Sequence, residues 1–283
     1  MNNKKRNILI VFLVLICRMT TAQLPDGVSS TQSFLDLITS NYSDENTISF
    51  DLNTINISAN IPIRVHIVRN IKGLAGVTTS NIKASIVTAN NYFKNAGLQF
   101  FIDSIDYVND YNYSFITNNY LKKELLTKYT ITSKINLFLV DSIYIGSQRS
   151  YGFTYFPNEA DSNYIYLDKN YIDGNSLSTM LGHFMGLLST HETLGGRELA
   201  SETNCSTSGD FICDTYADPD LFNSVIDSCK YIGSNRDDSG KYYVPSVANI
   251  MSNSLPICKC LLTSLQYRRI YYYYHKYRQY LNY

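Results

Sequence analysis

The chain has 283 residues, 45% of them hydrophobic, and its 24 basic and 24 acidic side chains balance to a formal net charge of zero. This composition suits a globular protein with a sizeable core. The charge balance supplies no electrostatic reason for a nucleic-acid partner or an anionic membrane surface.

Lys4, Lys5 and Arg6 precede an apolar run from Ile8 to Ile16, and Thr20, Thr21 and Ala22 supply small residues before Gln23. The pattern predicts an export signal over residues 1–22, cut after Ala22, and hence a secreted or extracytoplasmic protein. The run is too short to remain as a membrane span, and no later segment reaches the roughly 20 apolar residues that spanning needs. Cys17 follows Ile16, where a lipid-attachment box has a small residue, so lipidation is disfavoured.

Residues 23–60 are rich in Ser, Thr, Asn and Asp, with one amphipathic patch at Phe34, Leu35, Leu37 and Ile38. They read as an N-terminal extension, either a pro-segment or a solvated leader, ahead of a domain over 61–283. Ile61, Ile63, Val65 and Ile67 alternate as a half-buried strand requires. Ser80 is the expected cap of a helix whose apolar positions Ile82, Ile86, Ala89 and Phe93 follow a period near 3.6, with Gly97 as its stop. Leu98–Ile105, Ile135–Val140 and Tyr164–Leu167 read as strands, the second apolar enough to be central. Leu177, Leu181, Phe184 and Leu188 mark the buried side of a further helix ended by Gly186. Regular structure then thins until a Tyr-crowded helix over Thr263–Tyr280, where half of the rings are expected to pack on the domain.

Five cysteines remain after Cys17, namely Cys205, Cys213, Cys229, Cys258 and Cys260, all in the last third. That distribution suits an exported domain with a cross-linked, loop-rich C-terminal part. Four of them allow three pairings, and spacing alone does not choose among these.

Ser178 to Glu192 has the frame of the zinc-peptidase pattern H-E-x-x-H-x-x-G-x-x-H, in which two His share a helix face and a Glu activates water. His183 and Gly186 stand at the second His and the Gly; Thr179 stands at the first His, Met180 at the Glu and Ser189 at the third His. Asn204–Pro219, Cys229, Asn249-Ile-Met-Ser, Cys258 and Leu262–Ile270 follow in order, and Ile61–Arg69 and Gly152–Pro157 precede. With these segments the chain resembles the pappalysin family of metzincin metallopeptidases, in particular its cytophagalysin-like branch, over roughly Ile61 to Ile270.

The resemblance implies an α/β (α+β) fold: an upper subdomain to about residue 186 with a mixed twisted sheet and two main helices, and an irregular, disulfide-linked lower subdomain over 187–283. It implies Met251 as the Met-turn methionine, Gly152–Pro157 as a substrate-facing edge segment, and disulfides Cys205–Cys229 and Cys213–Cys258. Cys260 falls outside the pattern, as a buried inert thiol, the site of a disulfide dimer or a competitor of Cys258 for its partner. Asn253 stands where relatives carry a Tyr that steadies the tetrahedral intermediate.

A catalytic zinc has three protein ligands and an open position. Here one imidazole, His183, is joined by two neutral hydroxyls and a thioether, poor ligands for a hard divalent cation. The expectation is therefore a pseudopeptidase that keeps a peptide-binding cleft, takes a peptide or protein ligand and holds no cofactor. The alternative is an active zinc endopeptidase with substitute ligands His183, His191 and Glu192. Glu192 reads better as a structural loop acid and His191 as a solvent-exposed loop residue. His66 reads as a satisfied sheet histidine, and Asp214 to Asp220 as either a calcium loop or a purely structural one.

Overall fold

The computed structural model describes residues 26–28, 31–48, 50, 57–117, 119–157, 163–172 and 175–283. The expected export signal and Cys17 lie outside them. In chain order the elements are β1 (Asp26–Val28), α1 (Thr31–Thr47), β2 (Ala59–Val68), α2 (Thr79–Phe93), β3 (Leu98–Val108) and β4 (Phe115–Ile116). Next come α3 (Asn119–Tyr129), β5 (Ile135–Val140), β6 (Ser142–Ile145), β7 (Gln148–Ser150), β8 (Gly152–Thr154), β9 (Tyr164–Asp168) and α4 (Ser176–Phe184). After α4 come the two-residue strands β10 (Val225–Ile226) and β11 (Lys230–Tyr231), helix α5 (Ser264–Tyr273) and a few short helical turns.

Six strands pair in the order β1-β8-β9-β5-β2-β3. β3, β2, β5 and β9 are mutually parallel, β8 is antiparallel to β9, and β1 runs parallel to β8. The result is a mixed sheet carrying helices α2 and α4 on one face, in agreement with the expected fold class.

Strand β2 differs from its expectation of half burial, because nearly every position is buried, His66 included. The physical reason is the layer on the far side. Ile61, Ile63, Val65 and Ile67 face the α2 and α4 layer, whereas Val68, Phe138, Val140, Tyr164 and Tyr166 pack with Tyr113, Ile116 and Leu125 from the β4 and α3 region. Parallel strands covered on both faces carry near-continuous apolar runs. Helix α2 begins one cap earlier than expected: the Thr78 hydroxyl, not Ser80, accepts from the Asn81 N–H. The α-helix ends at Phe93, earlier than the expected stop at Gly97, which instead closes the following 3-10 turn over Lys94–Ala96 at φ +75.

The Tyr-rich segment splits into α5, a π-helical turn over Tyr274–Arg278 and a 3-10 turn over Gln279–Leu281. Tyr267, Tyr272, Tyr273 and Tyr274 are buried, Tyr271 and Tyr277 half-buried or less so, and Tyr280 exposed, so the rings divide as expected. Helix α1 corrects the picture of a solvated leader. Phe34, Leu35 and Ile38 are buried in one cluster with Phe156, Leu188, Phe211, Tyr272 and Tyr273.

The disulfides are Cys205–Cys213 and Cys229–Cys258, which overturns the expected Cys205–Cys229 and Cys213–Cys258. The cause is local chain reversal. Thr207 N–H bonds the Asn204 carbonyl, and Gly209 and Phe211 take left-handed φ of 64° and 59°, which folds Cys205 back to within 5.0 Å (Cα) of Cys213. Cys229 follows β10 in a tight turn, its N–H on the Ile226 carbonyl, and meets Cys258 beside Leu221 and Val225. Cys260 is a free thiol and exposed, so the buried-thiol alternative fails.

Candidate functional site

Helix α4 has an apolar composition that keeps Leu177 through Phe184 entirely buried. It ends in a Schellman motif: Leu187 N–H bonds the Gly182 carbonyl at 2.9 Å and Gly186 N–H bonds the His183 carbonyl at 3.0 Å. Gly186 sits at φ +96, and a Cβ there would lie 2.9 Å from Cγ of Tyr273 on α5. Only glycine meets both demands. The turn sends Leu187 to Thr190 back toward the loop that carries Met251, where Thr190 N–H reaches the Met251 carbonyl at 3.2 Å.

Within this frame Thr179, Met180, His183, Met251 and Asn253 each have a defined partner. The Thr179 hydroxyl donates to the Ile250 carbonyl at 2.8 Å, with the Asn175 carbonyl at 3.2 Å. Met180 points to the other side, onto strand β8, so close that a Cβ on Gly152 would fall 2.6 Å from its sulfur. His183 is fully buried, pairs through Nδ1 with the Leu187 carbonyl at 2.8 Å and meets the ring of Phe156 edge-on at 5.8 Å. Met251 packs beneath α4, its sulfur 2.5 Å from where a Cβ on Gly182 would stand. Its loop is held by Asn249, whose carboxamide accepts from Met251 N–H and donates to Gln266 Oε1, itself part of the capping box of α5. Ser189 is half-buried at the turn. Asn253 is drawn away toward Asp220, its Nδ2 donating to Oδ1 at 3.0 Å.

Thr179, His183 and Met251 are thus brought around Gly182, whereas Met180 belongs to the sheet-facing core and Asn253 to the Asp220 loop. The substitute set does not assemble. Glu192 Oε1 accepts from the N–H groups of Thr193 and Leu194 at 2.7 and 2.8 Å, the structural role expected of it. His191 is half-buried rather than solvent-exposed, because its loop folds over Asp218, whose charge it faces. Among the described residues no group of three or more His, Cys, Asp or Glu side chains is arranged to hold a metal ion.

His66 fits its bland reading in part. Nε2 lies 3.2 Å from Asn136 Oδ1 and the ring stacks on Phe138, but Nδ1 has no hydrogen-bond partner, and Asp106 stands 3.9 Å off. Burial holds its pKa below the ordinary value, outweighing the Asn136 bond and the Asp106 charge. The acids near Asp214 to Asp220 act as loop staples. Asp214 accepts from Thr263 Oγ1 and Leu265 N–H at the start of α5; Asp218 accepts from Thr190 Oγ1 and Asp220 N–H.

Sequence reasoning missed a buried acidic group behind these staples. Glu198 lines a cavity of about 270 Å³ with Thr190, His191, Asp218 and Tyr243, and neither of its carboxylate oxygens has a hydrogen-bond partner. Burial pushes Glu198 up to about 8, with Asp210, Glu202 and Asp218 adding repulsion. Asp210, fully enclosed, is pushed up to about 7 by burial despite the opposing pull of Arg269. No local sequence signal marks this group, since its members are separated in the chain and meet only through the fold around Gly209.

No family model and no curated protein matches the chain. Among solved structures it is similar to mirolysin in complex with compound 9, at 15% identity and a TM-score of 0.54, over 77% of this chain and 91% of that one. A metalloproteinase-II from Bacteroides fragilis aligns at 10% identity with a TM-score of 0.34, over 53% of this chain and 51% of that one. The first similarity, together with the sheet and helix order, establishes that the chain shares the fold of mirolysin.

Proposed function

We propose that the chain is an exported pappalysin-like metallopeptidase homologue without peptidase activity, a pseudopeptidase in which Thr179, Met180 and Ser189 replace two ligands and the general base, and Met251 is the Met-turn residue. The observation that supports this reading is that two of the three replaced positions are engaged in the protein interior. Thr179 donates its hydroxyl proton to the Ile250 carbonyl, and Met180 lies in core contact with Gly152. A zinc ion needs lone pairs converging on one point, so these residues do not fit it. No carboxylate stands beside His183 on α4 to take a proton from water, a role worth about 10²- to 10⁴-fold in rate. Two disulfides support the exported reading, because they persist in oxidising compartments. No helix among the described residues is long and apolar enough to cross a membrane.

Elemental analysis of the purified full chain tests the reading, paired with casein and gelatin digestion. We expect zinc well below one equivalent after mild dialysis and no cleavage above background. One equivalent of zinc with chelator-sensitive proteolysis would overturn it.

A further inference from the structure

We propose that β1 and α1, residues 26–28 and 31–47, are a permanent occupant of the cleft, built into the fold rather than held as a removable leader. The inference concerns the cleft just read as non-catalytic, and adds what fills it.

The first observation is strand pairing. β8 would be the outer strand of the sheet without β1, and Asp26, Gly27 and Val28 pair in parallel with Gly152, Phe153 and Thr154. An extended peptide that joined this edge would need the same backbone groups. It must therefore displace the chain's own segment first.

The second is aromatic packing. Phe34 of α1 stacks on Phe156 at 4.2 Å and meets Tyr273 edge-on at 5.4 Å, and Phe156 in turn closes on His183. Helix α1 thus covers the ring that borders the histidine.

The third separates a fixed part from a leader that leaves. Glu45 and Arg269 form an ion pair with both side chains almost wholly enclosed, Nε lying 3.1 Å from Oε1. Arg269 also donates to the carbonyls of Asp210 and Phe211 at 2.6 and 2.7 Å, so it is held in place whether or not α1 is present. Departure of α1 would strip that guanidinium of its Glu45 counter-ion while its N–H groups stay tied to the Asp210 and Phe211 carbonyls, which is costly. Asn41 adds a second anchor, donating to Tyr277 Oη and accepting from Lys276 Nζ. A segment made to dissociate would not carry the counter-charge of a buried arginine in the body it leaves.

Hydrogen exchange of the full-length protein, read by mass spectrometry on peptides from α1 and α5, tests the proposal. We expect α1 to be protected within tenfold of α5. Exchange in α1 at least a hundredfold faster, with α5 still protected, would overturn it. In the double variant Glu45→Gln with Phe34→Ala, exchange should rise in α1 and α5 together, with exposed Ser40→Ala as the unchanged control. Loosening of α1 alone would again overturn the proposal, and if the double variant does not fold, the wild-type comparison still decides. The two readings fail separately: a fast-exchanging α1 in a zinc-free protein removes only this one, and a protected α1 in a zinc-loaded, proteolytic protein removes only the pseudopeptidase.

Discussion

The upper and lower halves of the molecule are stabilised in different ways. Around β2, β5 and β9 stability comes from apolar side chains at strand and helix spacing, buried on both sides of the sheet. Beyond Gly186 the chain has little regular structure, and two disulfides, carboxylate staples and a buried arginine take over. All of the non-glycine residues with left-handed φ among those described, Glu202, Phe211, Asp220, Asn223 and Cys229, lie in this lower half. Each such conformation costs about 1–2 kcal/mol, which the covalent and ionic contacts must offset. The difference teaches that the upper half tolerates change by repacking, whereas the lower half depends on a few irreplaceable contacts.

The sharpest way to break that contrast is to remove one such contact. Glu45→Ala removes the ion-pair partner of enclosed Arg269, leaving it two carbonyls and the nearby Asp210 carboxyl, and loss of one partner of a buried pair costs about 3–5 kcal/mol. By comparison Ile86→Val, in the packed layer of α2, should cost about 0.5–1.5 kcal/mol. Urea denaturation of both variants measures the ratio. Equal losses would show that the pair is no more than a surface contact.

How far this architecture is legible in the sequence follows the same division. Ile135–Val140, Tyr164–Leu167 and the period of Ile82, Ile86, Ala89 and Phe93 announce their elements, because burial of a regular element imposes its own repeat. The turn at Gly186 is legible too, since left-handed backbone against an aromatic ring leaves one choice of residue. In the site, the proposal that Thr179, Met180 and Ser189 stand at replaced ligand and base positions rests on residue types at a fixed spacing. The disulfide partners, the Glu45–Arg269 pair and the Glu198 cluster are not legible, because each joins residues whose neighbours in sequence carry no matching pattern. The short patch at Phe34 to Ile38 signals that α1 has a buried face but not what it packs against.

The cross-links sharpen the comparison next. Separations of 8 and 29 residues differ in the loop entropy they remove, giving about 2.5 kcal/mol for the shorter link and about 3.6 kcal/mol for the longer in the chain-entropy model. Replacing Cys229 and Cys258 together by Ser should therefore cost more than replacing Cys205 and Cys213. Non-reducing peptide mapping first checks the partners: a Cys205–Cys229 peptide would contradict the structure.

A third variant probes the joint between the halves. Gly186→Ala forces a side chain into left-handed φ, costing about 1–2 kcal/mol, and drives its Cβ against Tyr273, adding about 1 kcal/mol or more of overpacking. A loss of about 2–3 kcal/mol in thermal or urea unfolding is expected. Removing the ring in the double variant Gly186→Ala with Tyr273→Ala takes Cγ and Cδ2 out of the contact, so its loss should fall short of the sum of the two single losses by part of the overpacking and none of the backbone cost. No shortfall at all would mean that the contact between α4 and α5 carries no strain.

The smallest effect concerns protons in the lower half. The folded pKa values of Glu198 and Asp210, about 8 and about 7, lie above the ordinary carboxyl range, so the folded state binds protons more tightly than the unfolded one. Stability then falls as pH rises from the unfolded values near 4 through the folded values, and the loss is complete above about 8. Solvent reaching Glu198 through its cavity weakens the effect, which we place near 1 kcal/mol after screening. Glu198→Gln keeps the shape and removes the titration, so its unfolding midpoint should exceed that of the wild type at pH 9 and approach it at pH 5. His66 gives the opposite slope in the sheet: its lowered pKa makes the folded state resist protonation, so stability from this residue is lost as pH falls below its ordinary value. Midpoints recorded from pH 5 to pH 9 for wild type, Glu198→Gln and His66→Gln separate the two contributions. A Glu198→Gln profile parallel to the wild type would show that the carboxylate charges freely in the folded protein, and that the lower half does not hold its acids in the neutral form.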